Sequence, residues 1–406
     1  MADAILTLNA GSSSLKLGLF NVGDAGQLAL AIRAEVDELA AMPHFSAWDA
    51  GGVLIEQQHW PEAANNFRIL AEQAVGWAAR HPNGRGLLAV GHRIVHGGSD
   101  YIAPRLLTGE LVEALDRLSP LAPLHLPQNL VPIRAIAAAY PHLAQVACFD
   151  TAFHHTMPPV ATRFALPRNY EREGVRRYGF HGLSYQYIAD RLREVSPRLA
   201  DGKTIVAHLG NGASLCALRA GVSVDTTMGF SVLDGLVMGT RPGTLDPGVV
   251  LYLQRHHGMS ESEVEDLLYL RSGLLGVSGG IGSDMRTLLA SPEPAAREAV
   301  ELFVYRLARE AGGLVSSLGG LDGVVFTGGI GEHSAPIRAA IAERLVWLGL
   351  RIDAEANARG EMLLSAAEST VEVRIIPTDE EKVIAGHTLE VVTGGYRDVS
   401  SKPLQE

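Results

Sequence analysis

The sequence predicts an α/β protein of two domains with mixed sheets. Three observations carry this: short β-rich runs alternate with helix-period segments, the chain is too long for one core, and a strand–turn–strand motif occurs twice. The β-rich runs cover residues 5–8, 15–20, 90–95, 145–149, 204–209, 215–218 and 323–327, and helical periodicity is clearest over 298–314 and 336–348. The second of these helices is punctuated, with Ser334 placed to cap it, Pro336 in its first turn and Gly349 placed to close it. At 406 residues the chain exceeds the size at which one hydrophobic core keeps growing, so two domains with a ligand cleft between them are expected. The repeated motif reads L-N-A-G-S-S-S-L-K-L from Leu8 and L-G-N-G-A-S-L-C-A-L from Leu209. Two such hairpins about 200 residues apart imply a duplicated domain, each half offering a tight turn to one cleft.

Composition removes several function classes. The net charge of -11 and pI of about 5.8 give no general attraction to nucleic acid or to an anionic membrane, and no basic patch stands out locally. An anionic substrate must therefore be met by a few placed arginines and lysines. No run approaches the roughly 18 apolar residues of a membrane span. The first apolar run is too short and too poorly flanked for a secretion signal. Cys148 and Cys216 are the two cysteines, both inside apolar strand-like runs, and read as buried thiols of a reducing cytosol. A cytoplasmic enzyme is the expectation.

The first turn runs Asn9-Ala10-Gly11-Ser12-Ser13-Ser14-Leu15-Lys16. Glycine allows close backbone approach, hydroxyls and successive N–H groups can cradle an anion, Lys16 adds a point charge, and Asn9 offers a hard oxygen suited to Mg²⁺. A polar hairpin with a surface lysine is the plain alternative. There is no G-x-x-x-x-G-K-[ST], which excludes a P-loop architecture. The second turn, His208-Leu209-Gly210-Asn211-Gly212, has no lysine; Asn-Gly alone is only a hairpin signal, and it gains weight from its pairing with the first. A third glycine-rich turn, Thr327-Gly328-Gly329-Ile330-Gly331-Glu332-His333, leads from a strand into a helix and suits either a flat nucleotide or close packing. Gly282-Ser283-Asp284-Met285-Arg286 is a similar but weaker loop.

The positive charges are sharper. Arg93 stands at a strand end in G-H-R-I-V-H-G-G, and Arg241 in the rigid turn G-T-R-P-G. Arginine is the residue for bidentate recognition of carboxylate and phosphoryl groups, and glycines around both imply close approach of a ligand. His181, flanked by Phe180 and Gly182, outweighs the other histidines, while His154-His155 lacks a third ligand at metal spacing. Asp150 ends a strand, and Asp379-Glu380-Glu381 begins a helix; each suits Mg²⁺ or simply a solvated turn.

The strings L-N-A-G-S-S-S-L-K, Y-G-F-H-G-L-S, H-L-G-N-G-A-S, G-T-R-P-G, S-D-M-R, T-G-G-I-G-E and P-T-D-E-E stand in the order and spacing of the acetate kinases, which this chain resembles over essentially its whole length. That resemblance implies two RNase-H-like (actin-like ATPase) domains hinged around a nucleotide cleft, in a homodimer: 1–150 completed by 383–406, and 151–382 carrying most of the nucleotide site. It implies ATP/ADP as the nucleotide and Mg²⁺, with Mn²⁺ as a substitute, held by Asn9 and Glu380 with Glu381 nearby. It gives Ser12, Ser14 and Lys16 to the phosphates. The ATP surface is then His208, Leu209, Gly210, Asn211 and Gly212, with Asp284, Met285 and Arg286, and with Gly329, Ile330, Gly331, Glu332 and His333. Arg93 and Arg241 would hold the carboxylate and the transferring group, His181 would steady the transition state, and Asp150 matches the family's essential acid. The acyl pocket would be Val95, Leu124, Phe180 and Val232. Departures from the family are Val232 for a usual proline, Thr244 for an acid, His333 and Asp379 for asparagines, and Tyr185 where some members carry histidine.

A carboxylic acid is ionised at neutral pH and needs no base to activate it, so Asp150 is expected to orient Mg²⁺ or Arg93. Propionate and butyrate kinases share every phosphate motif. An actin-like ATP-driven binding protein has no use for the paired arginines, and a sugar kinase calls for a polar pocket and a catalytic base. Replacing Arg93 or Arg241 by alanine is expected to cut turnover by orders of magnitude with the fold intact.

Overall fold

In the computed structural model the described residues are 3–11, 14–24, 26–39, 42–81 and 86–395. Ser12 and Ser13 of the first turn lie outside them. The chain divides into two compact units, one of residues up to Ala152 together with those from Asp379 onward, the other Phe153–Thr378.

The first unit is built on strands β1 (Asp3–Ala10), β2 (Leu15–Val22), β3 (Leu28–Asp37), β4 (His44–Asp49), β5 (Leu54–His59), β6 (Leu87–Ile94), β7 (Arg105–Leu106) and β8 (Ala144–Phe149). They form one sheet in the order β5-β4-β3-β2-β1-β6-β8-β7. Strands β1 to β5 are an antiparallel meander, and β6 and β8 run parallel to β1. Central β1 is buried from Ala4 to Asn9 and mostly apolar there because both its faces are covered. Ala4, Leu6 and Leu8 enter a core with Phe45, Trp60 and the helix Phe67–Arg80, while alternate Ile5 meets Phe20, Ala385 and Leu389. The second face is closed by the helix Glu380–Val392, packed on β1, β6 and β8. Gly91 makes that approach possible, since a Cβ there would stand 2.2 Å from Thr388 Oγ1 and 2.6 Å from Ile384 Cγ2. Asp379 caps this helix through Lys382 N. The chain therefore rejoins the first unit at Asp379, earlier than the expected boundary at 383, and brings Glu380 and Glu381 with it.

The second unit holds β9 (Lys203–Leu209), β10 (Ala213–Arg219), β11 (Val222–Thr226), β12 (Gly323–Thr327) and β13 (Glu372–Ile375), ordered β11-β10-β9-β12-β13. Here β9, β10 and β11 are antiparallel neighbours, and β12 and β13 run parallel to β9. The helix Gly182–Val195 sends Tyr185, Ile188 and Leu192 against Val206, Cys216 and Leu218, and the long helix Pro294–Leu318 packs on β9, β10 and β11. The plan of β3-β2-β1-β6-β8 repeats in β11-β10-β9-β12-β13. The sequence echo is thus a repeated topology.

Three details differ from the sequence reading. Ser334 stands at the head of the helix Ala335–Arg344, yet its hydroxyl is buried with no hydrogen-bond partner among the described residues, so it does not cap. That helix ends at Arg344, and a separate turn, Val346–Leu348, is closed by Gly349 at φ +86°. Strands β3 to β5, β7, β11 and β13 are additional to those read from periodicity. Cys148 and Cys216 are buried and unbridged, and burial raises both thiol pKa values. Among the described residues no helix is long and apolar enough to cross a membrane.

Candidate active site

In the first unit, hairpin register sets Asn9 opposite Lys16 at the ends of β1 and β2. Gly11 N donates to Ser14 O at 2.9 Å, closing the turn between them. On β6, Arg93 sends Nε to Asp150 Oδ2 at 3.0 Å, with Nη2 on the same oxygen, and Nη1 to Asn9 Oδ1 at 3.3 Å. Glu380 Oε2 stands 4.0 Å from Arg93 Nε. These bonds leave a second hydrogen on each Nη for a ligand. Asp150 is 1 % exposed and Arg93 20 %, so the carboxylate is buried beneath an arginine that stays partly accessible. Burial opposes the charge on Arg93, but Asp150, Glu380 and Glu381 outweigh it and hold the group more firmly protonated than usual.

Asn9 Nδ2 donates to Glu380 Oε2 at 3.0 Å and to Glu381 Oε1 at 3.2 Å. Burial raises the Glu381 pKa, and the charge of Glu380 raises it further, while Lys16 and Asn9 pull the other way. Among the described residues no three His, Cys, Asp or Glu side chains gather as a metal-binding group. Mg²⁺ needs none, because it keeps several waters and takes one or two carboxylates plus phosphate oxygens. A pair of crowded carboxylates beside an amide oxygen, with burial penalising the charge of Glu381, is a donor set that a hard divalent cation would relieve. Asn9, Glu380 and Glu381 fit that ion.

In the second unit, His181 heads the helix Gly182–Val195 in the left-handed region, at φ +59°. A non-glycine residue holds that conformation only where its surroundings impose it. They do: Gly179, at φ +78°, lies against the buried ring of His154, whose Nε2 is 3.0 Å from Phe180 O and whose Nδ1 is 2.8 Å from Ser223 Oγ. Burial lowers the His154 pKa to about 4, so this ring is a neutral prop for the loop, with both its nitrogens engaged in these hydrogen bonds. His181 Nδ1 lies 2.9 Å from Ser214 Oγ, and its ring stacks on His208 at 4.4 Å between centroids. His208 Nδ1 is in turn 2.9 Å from Ser184 Oγ.

Glycines bring Arg241 to this group. A Cβ on Gly212 would stand 2.8 Å from Arg241 Nη2 and 3.3 Å from His181 Nε2. Arg241 Nη1 donates to Val232 O at 2.8 Å, and Gly243, at φ +72°, turns the chain where any Cβ would strike Leu236 O at 2.4 Å. Gly239 N donates to Asn211 O at 3.0 Å, while a Cβ on Gly239 would meet Asn211 Oδ1 at 2.0 Å and Ser283 O at 3.1 Å. The turn 208–212, the turn at Arg241 and the loop leading to Asp284 therefore form one surface. Gly212→Ala is expected to push the mobile end of Arg241 aside, leaving the melting temperature nearly unchanged and lowering turnover about 10²-fold. Thermal denaturation beside steady-state kinetics checks it, and unchanged kinetics would show that the proximity is incidental.

Other expected contacts are also engaged within the fold. Asp284 Oδ1 accepts from Thr287 N at 2.9 Å as a helix cap, which holds its carboxyl below the usual range; Met285 is buried and Arg286 exposed. The third glycine-rich turn is a short helix, Gly328–His333, entered at Gly328 with φ +76°. Glu332 Oε1 turns back into the fold to accept from Gly328 N at 2.8 Å and Thr378 N at 3.3 Å, while His333 is exposed. Arg338 was missed. Fully buried, it donates from Nη1 to Gly331 O at 3.0 Å and Glu332 O at 2.9 Å, closing this helix, and from Nε to Asn357 Oδ1 at 2.8 Å. Its one signal in the sequence is a lone arginine between Ile337 and Ile341 on an apolar face.

Asn9, Lys16, Arg93, Asp150, Glu380 and Glu381 thus gather in the first unit. His181, His208, Gly212, Asn211 and Arg241 gather in the second. Of the expected acyl-pocket walls, Val95 is buried, its N–H held by Asn129 Oδ1 at 3.0 Å, and Leu124 is 38 % exposed, both in the first unit. Phe180 and Val232 are buried in the second.

Two sheets of one strand plan, each with a hairpin turn beside a placed arginine, define a kinase with the actin-like ATPase type of fold. The chain belongs to the acetokinase family, whose pattern matches residues 4–386. It is 50 % identical over 97 % of its length to all of an acetate kinase of Rhodopseudomonas palustris strain TIE-1. Among solved structures, a propionate kinase of Francisella tularensis is 34 % identical with a TM-score of 0.88, the match covering 96 % of this chain and 100 % of that one. An acetate kinase of Porphyromonas gingivalis is 33 % identical with a TM-score of 0.83, at the same coverages.

Proposed function

We propose that the protein is an acetate kinase, transferring the γ-phosphoryl group of ATP directly and reversibly to acetate to give acetyl phosphate and ADP. The observation that carries this is Arg93, seated on buried Asp150 with a second hydrogen on each Nη beyond the bonds it makes there, in a chain of the acetokinase family. Both reactants are anions, so the barrier lies largely in bringing them together. Arg93 takes the carboxylate in a fork. Arg241 and His181 donate to the phosphoryl oxygens, which carry the charge of a loose, in-line transition state. Asp150 orients Arg93: its Oδ2 already accepts two N–H groups, and an ionised carboxylate needs no base.

Mg²⁺, when bound, supplies a fixed positive charge against the phosphate oxygens. Asn9, Glu380 and Glu381 would hold it, and Lys16, with Ser12 and Ser14, serves the phosphates beside it. The second unit carries most of the nucleotide contacts, through 208–212, Asp284–Arg286 and 329–333. A cytoplasmic homodimer of two RNase-H-like domains completes this reading.

The second reading is a propionate kinase, favoured by the Francisella tularensis structure; the acetate kinase of higher identity weighs against it. Trapping acyl phosphate with hydroxylamine from acetate, propionate and butyrate, with ATP and Mg²⁺, separates the two. Acetate should give the highest kcat/KM, by about 10-fold or more per methylene. A propionate optimum favours the second reading, and no acyl hydroxamate from any of the acids sinks both.

A further inference from the structure

We propose that Tyr185, acting through Ser214, fixes the tautomer of His181 so that its Nε2 carries the proton at neutral pH, which makes Tyr185 a positioning residue for the phosphoryl transfer proposed above. The inference rests on that reading for its consequence, though not for its geometry. Tyr185 lies fully buried on the helix Gly182–Val195, with its hydroxyl in short contact with Ser214 Oγ. Ser214 Oγ stands 2.9 Å from His181 Nδ1. Phenol, serine hydroxyl and neutral imidazole each have one proton to place.

Among the described residues Ser214 Oγ is the one hydrogen-bond partner of the Tyr185 hydroxyl. A buried O–H without an acceptor costs the full desolvation of that group, so the phenol donates to Ser214. Burial raises the phenol's pKa well above its usual value, so the proton is always present to donate. Ser214 then has its own proton for His181 Nδ1. A ring nitrogen that accepts carries no hydrogen, which leaves the proton on Nε2. Stacking on His208, itself tied to Ser184, prevents the ring from turning over to undo the choice.

The consequence falls beside Gly212, where His181 Nε2 and Arg241 Nη2 are neighbours. With Nε2 protonated, both groups donate toward the same place, as an anionic phosphoryl oxygen requires. The opposite tautomer would aim a lone pair there. A phenol serves this relay better than a second imidazole, because it has no alternative tautomer and no charge near pH 7.

Two-bond ¹H–¹⁵N spectra of the full-length protein labelled in histidine, with His181 assigned by His181→Gln, report the tautomer directly. In the unsubstituted chain His181 should show Nε2 protonated. Tyr185→Phe fills the same space and removes only the donor. It should give a mixture of tautomers, a kcat lower by about fivefold, which is the worth of one net hydrogen bond, and an unchanged KM for the nucleotide. Ser214→Ala should abolish the preference altogether. A protonated Nδ1 in the unsubstituted protein, or a Tyr185→Phe spectrum identical to it, overturns the relay. The spectrum decides this whether or not acyl phosphate forms, so failure of the kinase reading shows separately, as absent acyl hydroxamate.

Discussion

Arg93→Ala is expected to lower turnover by about 10³-fold or more, the usual effect of removing an arginine that stabilises a phosphoryl-transfer transition state. It should also destabilise the protein, which the sequence alone did not suggest. Asp150 is 1 % exposed and accepts Arg93 Nε at 3.0 Å. Taking away one partner of a buried ion pair leaves a charge whose desolvation is no longer compensated, at a cost of about 3–5 kcal/mol. Glu380 and Glu381 lose the same positive neighbour, so their mutual repulsion adds to the effect. Arg93→Lys should recover part of the stability and little of the turnover, because an ammonium cannot span Asp150 and a substrate carboxylate as a fork does. Thermal unfolding and initial rates on the same preparations test both halves. A variant with unchanged melting temperature and near-normal rates would remove Arg93 from the site.

Arg241→Ala should divide the two effects. Its turnover should fall by a similar factor of about 10³, but its melting temperature should move less than that of Arg93→Ala. The side chain lies partly exposed beside a loop, and a neutral carbonyl, Val232 O at 2.8 Å, is among its anchors. Losing one such bond is worth about 1 kcal/mol. A fall in stability as large as that for Arg93→Ala would mean that Arg241 braces the turn 240–243, and its catalytic assignment would lose its support. The contrast rests on Arg93, whose guanidinium is seated on a carboxylate that is 1 % exposed.

Much of the architecture was legible because the central strands are buried on both faces. A run such as Ala4 to Leu8 is apolar at every position but Thr7 and so visible without alternation. Strands β3, β4 and β5 were missed for the opposite reason. They form the outer part of the sheet, where Arg33, Glu35, Glu56 and Gln58 interrupt the apolar pattern. The candidate site was legible as residue types in glycine-rich turns, but its support was not. That Asp150 seats Arg93, that Glu332 accepts from Thr378 N, and that Tyr185 reaches His181 through Ser214 are facts of side-chain direction across distant segments. No local spacing encodes them. Thr327–His333 was read as a turn because its glycines suggest one. Two side-chain contacts hold it as a helix: Glu332 bonds its first N–H, and Arg338, from the next helix, bonds its last carbonyls.

The most direct measurement is the turnover and melting temperature of the Arg93→Ala/Asp150→Ala double variant. With both partners gone no buried charge is stranded, so stability should recover most of the loss seen in Arg93→Ala alone, while turnover stays about 10³-fold down. Near-normal acyl phosphate formation by that double variant would contradict the assignment of the Arg93 guanidinium to the chemistry.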